Sequence, residues 1–374
     1  MNKTRVTVII LFIISGLIVA IGIVGGGPTV KIPADTKPGA EYSQPNEAEI
    51  TAQTKEMLLS VLKEKYPAGT SARRDAHPLA HGCVRASFQV LPDLPANLAK
   101  GVFYKERSYP VWMRLSNGSA DPKKDADGDV RGMALKLMGV PGPKLLPDEI
   151  YTQDFLLINY PVMPAGSPDE YLALFDAAIH KRPMSYFFGG MPWNWKLGAF
   201  QKVLELRGQK VADLLDIDYF STTPYRLGEQ AVKYKLSPCQ KKGEYQIPAD
   251  PTDRFLRDNL QDRLSKESVC MDFYVQLQKD PIAMPVEDAA VRWDEKVSVP
   301  IKVARIEIPQ QEFNSEKQNQ FCEQLSYTPW HSLKEHQPLG GINRVRKAVY
   351  SAIAAHRFEQ NGVTPAEPFG SERF

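Results

Sequence analysis

The sequence predicts an α+β fold: an antiparallel sheet or barrel with helices packed outside it, preceded by one transmembrane helix. Three observations predict it. Segments in which apolar and polar residues alternate recur along the chain, as half-buried strands require. Few helical segments lie between them, so most neighbouring strands lack the crossovers that a parallel sheet needs. A long uncharged apolar run opens the chain.

That run extends from Val6 to Val24, after Lys3 and Arg5. At ~1.5 Å per residue it just reaches across a hydrocarbon layer of ~30 Å. It ends in Gly25-Gly26-Gly27-Pro28, without the small-residue site that marks a cleaved signal peptide, so residues 1–24 read as an uncleaved signal anchor. The positive charges ahead of it keep the N-terminus in the cytoplasm, which puts the remainder on the extracytoplasmic, periplasmic side. Residues 25–44, rich in Gly, Pro, Lys and Asp, read as a linker. Residues 45–374 show no internal repeat and no break, and read as one domain.

A first helix is expected from Asn46, with Glu49 as its capping partner and Ile50, Met57, Leu58, Val61 and Leu62 on one face; Tyr66-Pro67 ends it. Strands follow. Val84, Ala86, Phe88 and Val90 alternate with polar residues, as do Val111, Met113 and Leu115, then Met133, Leu135 and Leu137. The nearly continuous apolar run 154–162 fits a strand buried on both faces, and further strands are expected at 231–236, 271–277 and 301–308. Helical pattern occupies 169–180 and 195–213, and a helix closes the chain.

The net charge of +2 carries no basic stripe, which argues against nucleic acid as a partner. The four cysteines, Cys83, Cys239, Cys270 and Cys322, form no Cys-x-x-Cys pair. In an exported domain they can form disulfides, although their pairing is not readable from spacing. A zinc site of His77, His81 and Cys83 lacks a fourth ligand at useful spacing.

The last helix places Arg346 and Tyr350 one turn apart, with Arg357 two turns further along the same face. A fixed cation favours the phenolate form of a neighbouring tyrosine, and tyrosine is one of the few residues that hold haem iron. The segment Arg74-Asp75-Ala76-His77 just precedes a strand, and a histidine there suits acid–base work near neutral pH. Arg114 and Ser116 share one face of a strand, Arg131 opens the next, and Asn159 interrupts the buried run. Each of these alone is as well explained by structure as by function. Tyr219, in a Pro/Thr-rich turn, is a rival iron ligand, but no cation lies one helical turn before it.

Taken in order, these segments resemble the haem catalase superfamily, and within it the short catalase-like, catalase-related peroxidase members without the extra C-terminal domain. Arg74-Asp75-Ala76-His77 is similar to the family's distal segment, Arg114-Leu115-Ser116 to its Arg-Phe-Ser, and Asp129-Val130-Arg131-Gly132 to its Asp-Pro-Arg-Gly. Arg346 and Tyr350 have the family's proximal spacing, and Arg357 falls where a further haem-contacting arginine is found. Ile158 stands where typical catalases have the distal asparagine, with Asn159 one residue later, and Met163-Pro164 replaces the paired phenylalanines. Ala76 stands where the allene oxide synthase branch has threonine.

The resemblance implies a catalase-like barrel holding haem b. Tyr350, supported by Arg346, would ligate the iron. His77, oriented by Ser116, would handle the peroxide's proton, and Asn159 would orient the peroxide. Arg74, Arg114 and Arg357 would neutralise the propionates. The implied reaction is breakdown of hydrogen peroxide or an organic hydroperoxide, with a reductant the sequence does not name, and the altered distal pocket favours peroxidase over full-rate catalase chemistry. The alternatives are a haem-dependent fatty-acid hydroperoxide isomerase or lyase, and a non-enzymatic membrane-tethered haem-binding protein. A homo-oligomer is compatible with either.

Overall fold

The computed structural model describes residues 32–374. The expected signal anchor lies outside the described residues, and among those described no helix is long and apolar enough to cross a membrane.

Nine strands form one antiparallel sheet: β1 (Ala80–Val90), β2 (Ser108–Asn117), β3 (Arg131–Met138), β4 (Thr152–Ile158), β5 (Tyr219–Phe220), β6 (Tyr225–Leu227), β7 (Gln230–Pro238), β8 (Val269–Leu277) and β9 (Ile301–Ile308). Their order is β5-β4-β3-β2-β1-β9-β8-β7-β6, and a further pairing of β5 with β7 closes the sheet into a barrel. The two-residue β5 is the closure, pairing with Ile158 on one side and with Lys235 and Leu236 on the other. β6 lies outside the ring as a hairpin partner of β7. Closure removes the exposed edges that an open sheet of this size would present.

The alternation read from the sequence decides what fills the barrel. Phe88, Phe155, Tyr234 and Phe273 all point inward and are buried. Phe88 meets Phe273 edge-on at 5.2 Å, and Phe155 meets Tyr234 edge-on at 4.9 Å, the geometry that aromatic quadrupoles favour. Burying each such ring contributes roughly 2–3 kcal/mol. His336 is enclosed with them, accepting from the Val102 amide at 2.9 Å and paired with the Tyr234 hydroxyl at 2.9 Å.

Helices pack outside: α1 (Glu47–Lys65), α2 (Pro168–Ile179), α3 (Pro183–Phe188), α4 (Leu197–Arg207), α5 (Phe255–Lys266), α6 (Glu316–Gln324) and α7 (Gly341–Gln360). Leu58 of α1 packs against Val345 and Val349 of α7, with Tyr171 and Phe175 of α2 completing the cluster. Arg344 ties α7 down by bonds to Glu41, Glu47 and Glu287. Residues 39–44, in the stretch expected as a linker, lie on the domain: the Gly39 amide donates to Gln278 at 2.7 Å and that of Tyr42 to Glu287 at 2.8 Å.

Two details depart from expectation. Asn46 makes no side-chain cap, and Glu49 instead accepts from Gln53, so α1 starts without the reciprocal capping pair. The helix expected over 195–213 runs only over Leu197–Arg207, because Gly208 follows and the chain turns there.

Candidate active site

His77 lies in the loop between α1 and β1, with a left-handed backbone (φ 58°), a conformation uncommon for residues other than glycine and typical of functional sites. Three contacts hold it there. Its amide faces the Gly118 carbonyl at 3.4 Å, and Arg114 Nη2 donates to its carbonyl at 2.9 Å. Its Nδ1 lies 3.0 Å from Ser116 Oγ. Ser116 pairs with Gly132 across β2 and β3, and the imidazole lies over that glycine. Asp129 organises the turn before β3, accepting from the amide and hydroxyl of Ser119 and from the Val130 amide.

Burial and the adjacent Arg114 charge push the His77 pKa down to about 4, with Asp129 opposing them. The ring is therefore neutral at pH 7. With Nδ1–H donated to Ser116, Nε2 carries a lone pair that can accept a proton.

Asn159 is fixed next to this ring's support. Its amide N–H donates to the Arg131 carbonyl at 3.0 Å, and its Oδ1 accepts from the Arg131 amide at 2.7 Å. The side-chain amine makes no hydrogen bond among the described residues and can donate to a ligand. Arg131 itself is committed to the scaffold, bound to Asn117 Oδ1 and, at 2.8 Å, to the Asp125 carbonyl.

His81 belongs to that same scaffold. It is fully buried on β1, with Nε2 2.7 Å from Asn117 Oδ1, and burial pushes its pKa down to about 3. Cys83 is bonded to Cys322, and Cys239 to Cys270. The zinc reading of His77, His81 and Cys83 thereby loses its thiolate.

On α7, Arg346 Nη2 donates to the Tyr350 hydroxyl oxygen at 3.1 Å. Its Nη1 reaches Asn343 Oδ1 at 3.2 Å and Thr223 Oγ1 at 3.4 Å. Asn343 is in turn locked by its own amine to the Pro224 and Leu339 carbonyls, both at 2.9 Å. The turn after Tyr219 thus supports the arginine. Tyr219 itself is buried and donates to the Leu214 carbonyl at 2.8 Å, which removes it as a rival ligand. The Arg346 charge also acts on His77, and Tyr171 feels Tyr350, Arg346 and Asp75 together. Tyr171 of α2 and Tyr350 of α7 pack against the same cluster, around Leu58, Val345 and Val349.

Arg74, Arg114 and Arg357 also come together, around Glu323 at the end of α6. Arg74 binds Glu323 Oε2 at 2.7 Å and the Leu325 carbonyl at 2.6 Å. Arg114 lies 3.5 Å from Glu323 Oε1. Arg357 donates to the Glu323 and Leu325 carbonyls. Burial and Arg74 push the Arg114 pKa down to about 10 and that of Arg357 to about 9, the mark of cations crowded together. The Nε atoms of Arg114 and Arg357 are buried without a hydrogen-bond partner. Three guanidiniums around one carboxylate leave positive charge and free donors, which fits the carboxylates of a haem. The phenol oxygen of Tyr350 is a donor of the kind that holds ferric iron.

Glu323, Asn343, Thr223 and Tyr171 were not visible as site residues in the sequence. Only Asn343 carried a signal, three residues before Arg346 on the same helix face. A second cluster that resembles a metal site, Glu149, Asp154 and His331, already holds a cation: Lys136 Nζ lies 2.8 Å from Asp154 and also binds Glu149.

The sequence matches no family model and no curated protein. Its fold is similar to those of solved catalases. A fungal catalase superposes with a TM-score of 0.59 at 16% identity, over 93% of this chain and 71% of that one. Catalase A from Saccharomyces cerevisiae gives 0.58 at 16% identity, over 94% and 74%. A bacterial catalase gives 0.54 at 16% identity, over 89% and 64%. The chain therefore has a catalase-like antiparallel barrel with surrounding helices, and it is shorter than each of these relatives in fold.

Proposed function

We propose that this chain is a haem-dependent peroxide-decomposing enzyme of the peroxidase or catalase type. Its domain would be tethered by residues 1–24 to a membrane and face the periplasm. What supports the reading is a His77 held by Ser116 and an Arg346–Tyr350 pair on α7 within one catalase-like fold.

Tyr350 would hold the iron of haem b, and Arg74, Arg114 and Arg357 its propionates. When bound, the haem supplies the two-electron redox chemistry, which the protein positions and tunes. His77 Nε2 would accept the proton of one peroxide oxygen and return it to the other. Ser116 keeps the ring in the tautomer that can do so. The Asn159 amine donates to the peroxide and orients it. Arg346 donates to the Tyr350 oxygen, a contact that strengthens when that oxygen is charged. The cycle is completed by electrons from a second hydrogen peroxide, releasing oxygen, or from an organic donor.

The test is peroxide consumption by haem-loaded protein, followed as oxygen release and as oxidation of an added phenolic donor. His77→Gln is expected to lower both by at least a hundredfold, the usual weight of a general acid–base. His81→Gln is expected to cost stability instead. Turnover that survives His77→Gln but not His81→Gln, in folded protein, would reassign the base.

A further inference from the structure

A cavity of about 410 Å³ lies between the loop leading to β1, the start of α5, α6 and the end of α7. Its volume is that of a small-molecule site. Arg73, Arg254, Arg257 and Arg357 line it against a single carboxylate, Glu323, which is already engaged by Arg74.

The arginines are placed unfavourably for an empty site. Arg254 occupies the N-cap position of α5 without a side-chain cap, and Arg257 lies in the first turn, where the helix already presents partial positive charge. Burial and the Arg254 charge together hold the Arg257 pKa below its ordinary value. Arg357 is only 3% exposed, and its Nε has no partner; the Nε of Arg254 is likewise buried and unpartnered. Arg254 Nη2 is anchored to the Ala80 carbonyl at 2.6 Å, which fixes the guanidinium at the cavity wall. One stretch of wall is apolar, formed by Pro78, Leu79 and the Cys83–Cys322 bridge, beside the polar Ser71, Asn319 and Asn361.

We propose that this cavity binds a small organic anion, with Arg254 and Arg257 taking its carboxylate and the Leu79 wall its apolar body. A guanidinium pair recognises a carboxylate through charge-assisted hydrogen bonds, and the excess of cations would select against a neutral molecule of the same shape. Arg357 and Glu323 line this cavity and also belong to the cluster proposed for the propionates, whereas Arg254 and Arg257 belong to the cavity alone.

Calorimetric titration of the detergent-solubilised, haem-free full chain tests this, with benzoate, benzyl alcohol and inorganic phosphate as probes. Benzoate is expected to bind one to one, phosphate at least tenfold more weakly, and benzyl alcohol not measurably. Arg254→Gln and Arg257→Gln are each expected to weaken benzoate at least tenfold and to leave haem affinity, read from the Soret band, unchanged. If Arg254→Gln fails to fold once its bond to Ala80 is lost, Arg257→Gln carries the test. Unchanged benzoate affinity in Arg257→Gln, or equal binding of benzyl alcohol or phosphate, would overturn the site. So would a matching loss of haem affinity in Arg257→Gln, because the anion would then lie at the propionate arginines.

Discussion

The imidazole of His77 lies directly against the backbone of Gly132: a methyl group there would come within 2.5 Å of Cε1 and Nδ1 and 3.0 Å of Ser116 Oγ. Only hydrogen fits at this position. Gly132→Ala is therefore expected to push the ring off its 3.0 Å contact with Ser116 and lower peroxide turnover at least tenfold. Haem binding, read from the Soret band, should be retained, since no proposed haem ligand is touched. Wild-type turnover in Gly132→Ala would show that the ring position does not matter.

Glu323 holds the position that a ligand carboxylate would contest. Its side chain is 44% exposed, against 13% for Arg74 and 4% for Arg114, so it is the member of the cluster that is freest to move. Desolvation pushes its pKa up, but the three arginines outweigh it and hold the carboxyl below its ordinary value. Glu323→Gln is expected to lower the melting temperature of the haem-free protein, because buried like charges lose their counterion. The same variant should bind haem roughly tenfold more tightly, since no carboxylate has to be displaced. Haem titration and thermal melts of the two proteins check both halves; weaker haem binding in the variant would make Glu323 a supporting residue instead.

Much of this architecture was legible in the sequence. Residues 301–308 form a strand with the expected bounds, and the alternating runs around Phe88, Met113 and Leu135 all proved to be barrel strands. Period-two burial is a local property, and it survives folding. α5 was missed although Leu256, Leu260 and Leu264 recur at helical spacing, because charged residues fill the intervening positions. α6 left almost no signal, since only Gln318 and Cys322 are buried among its polar residues. The role of Glu323 could not be found without α6, and it depends on partners some 250 positions away in sequence, as with Arg74. His77, Ser116, Arg346 and Tyr350 were singled out through motif spacing, and the spacing from Arg74 favoured His77 over His81. Both sit beside β2, and only the structure shows that His81 turns into the buried Asn117 network.

His331 gives the fold a pH dependence of its own. Burial and Lys136 work against its charge, but hydrogen bonds to Asp148 and Asp154 outweigh them and raise its pKa to about 9. The folded value exceeds the unfolded value of about 6.5, so the stabilisation is full below pH 6.5 and is lost as pH rises through 9. At roughly 1.4 kcal/mol per unit the loss is on the order of 3 kcal/mol. Chemical denaturation of wild type is expected to show this decline between pH 6.5 and 9.5, and His331→Gln, less stable at pH 6, should show little of it. Parallel declines in the two proteins would assign the effect elsewhere.

Asn343 holds Arg346 in place for Tyr350 while binding two backbone carbonyls. Asn343→Ala leaves these buried groups unpaired and is expected to cost about 2–4 kcal/mol of stability. An unfolding midpoint within experimental error of wild type would mean that water replaces the amide at no cost.

The claim on which the functional reading rests is that Tyr350 holds the iron. Its most direct test is the ferric absorption spectrum of haem-reconstituted wild type beside Tyr350→Phe. A tyrosinate-ligated spectrum is expected in wild type, and in the variant a shifted Soret band with loss of the phenolate-to-iron charge-transfer absorption. The same spectrum in both proteins would contradict the assignment.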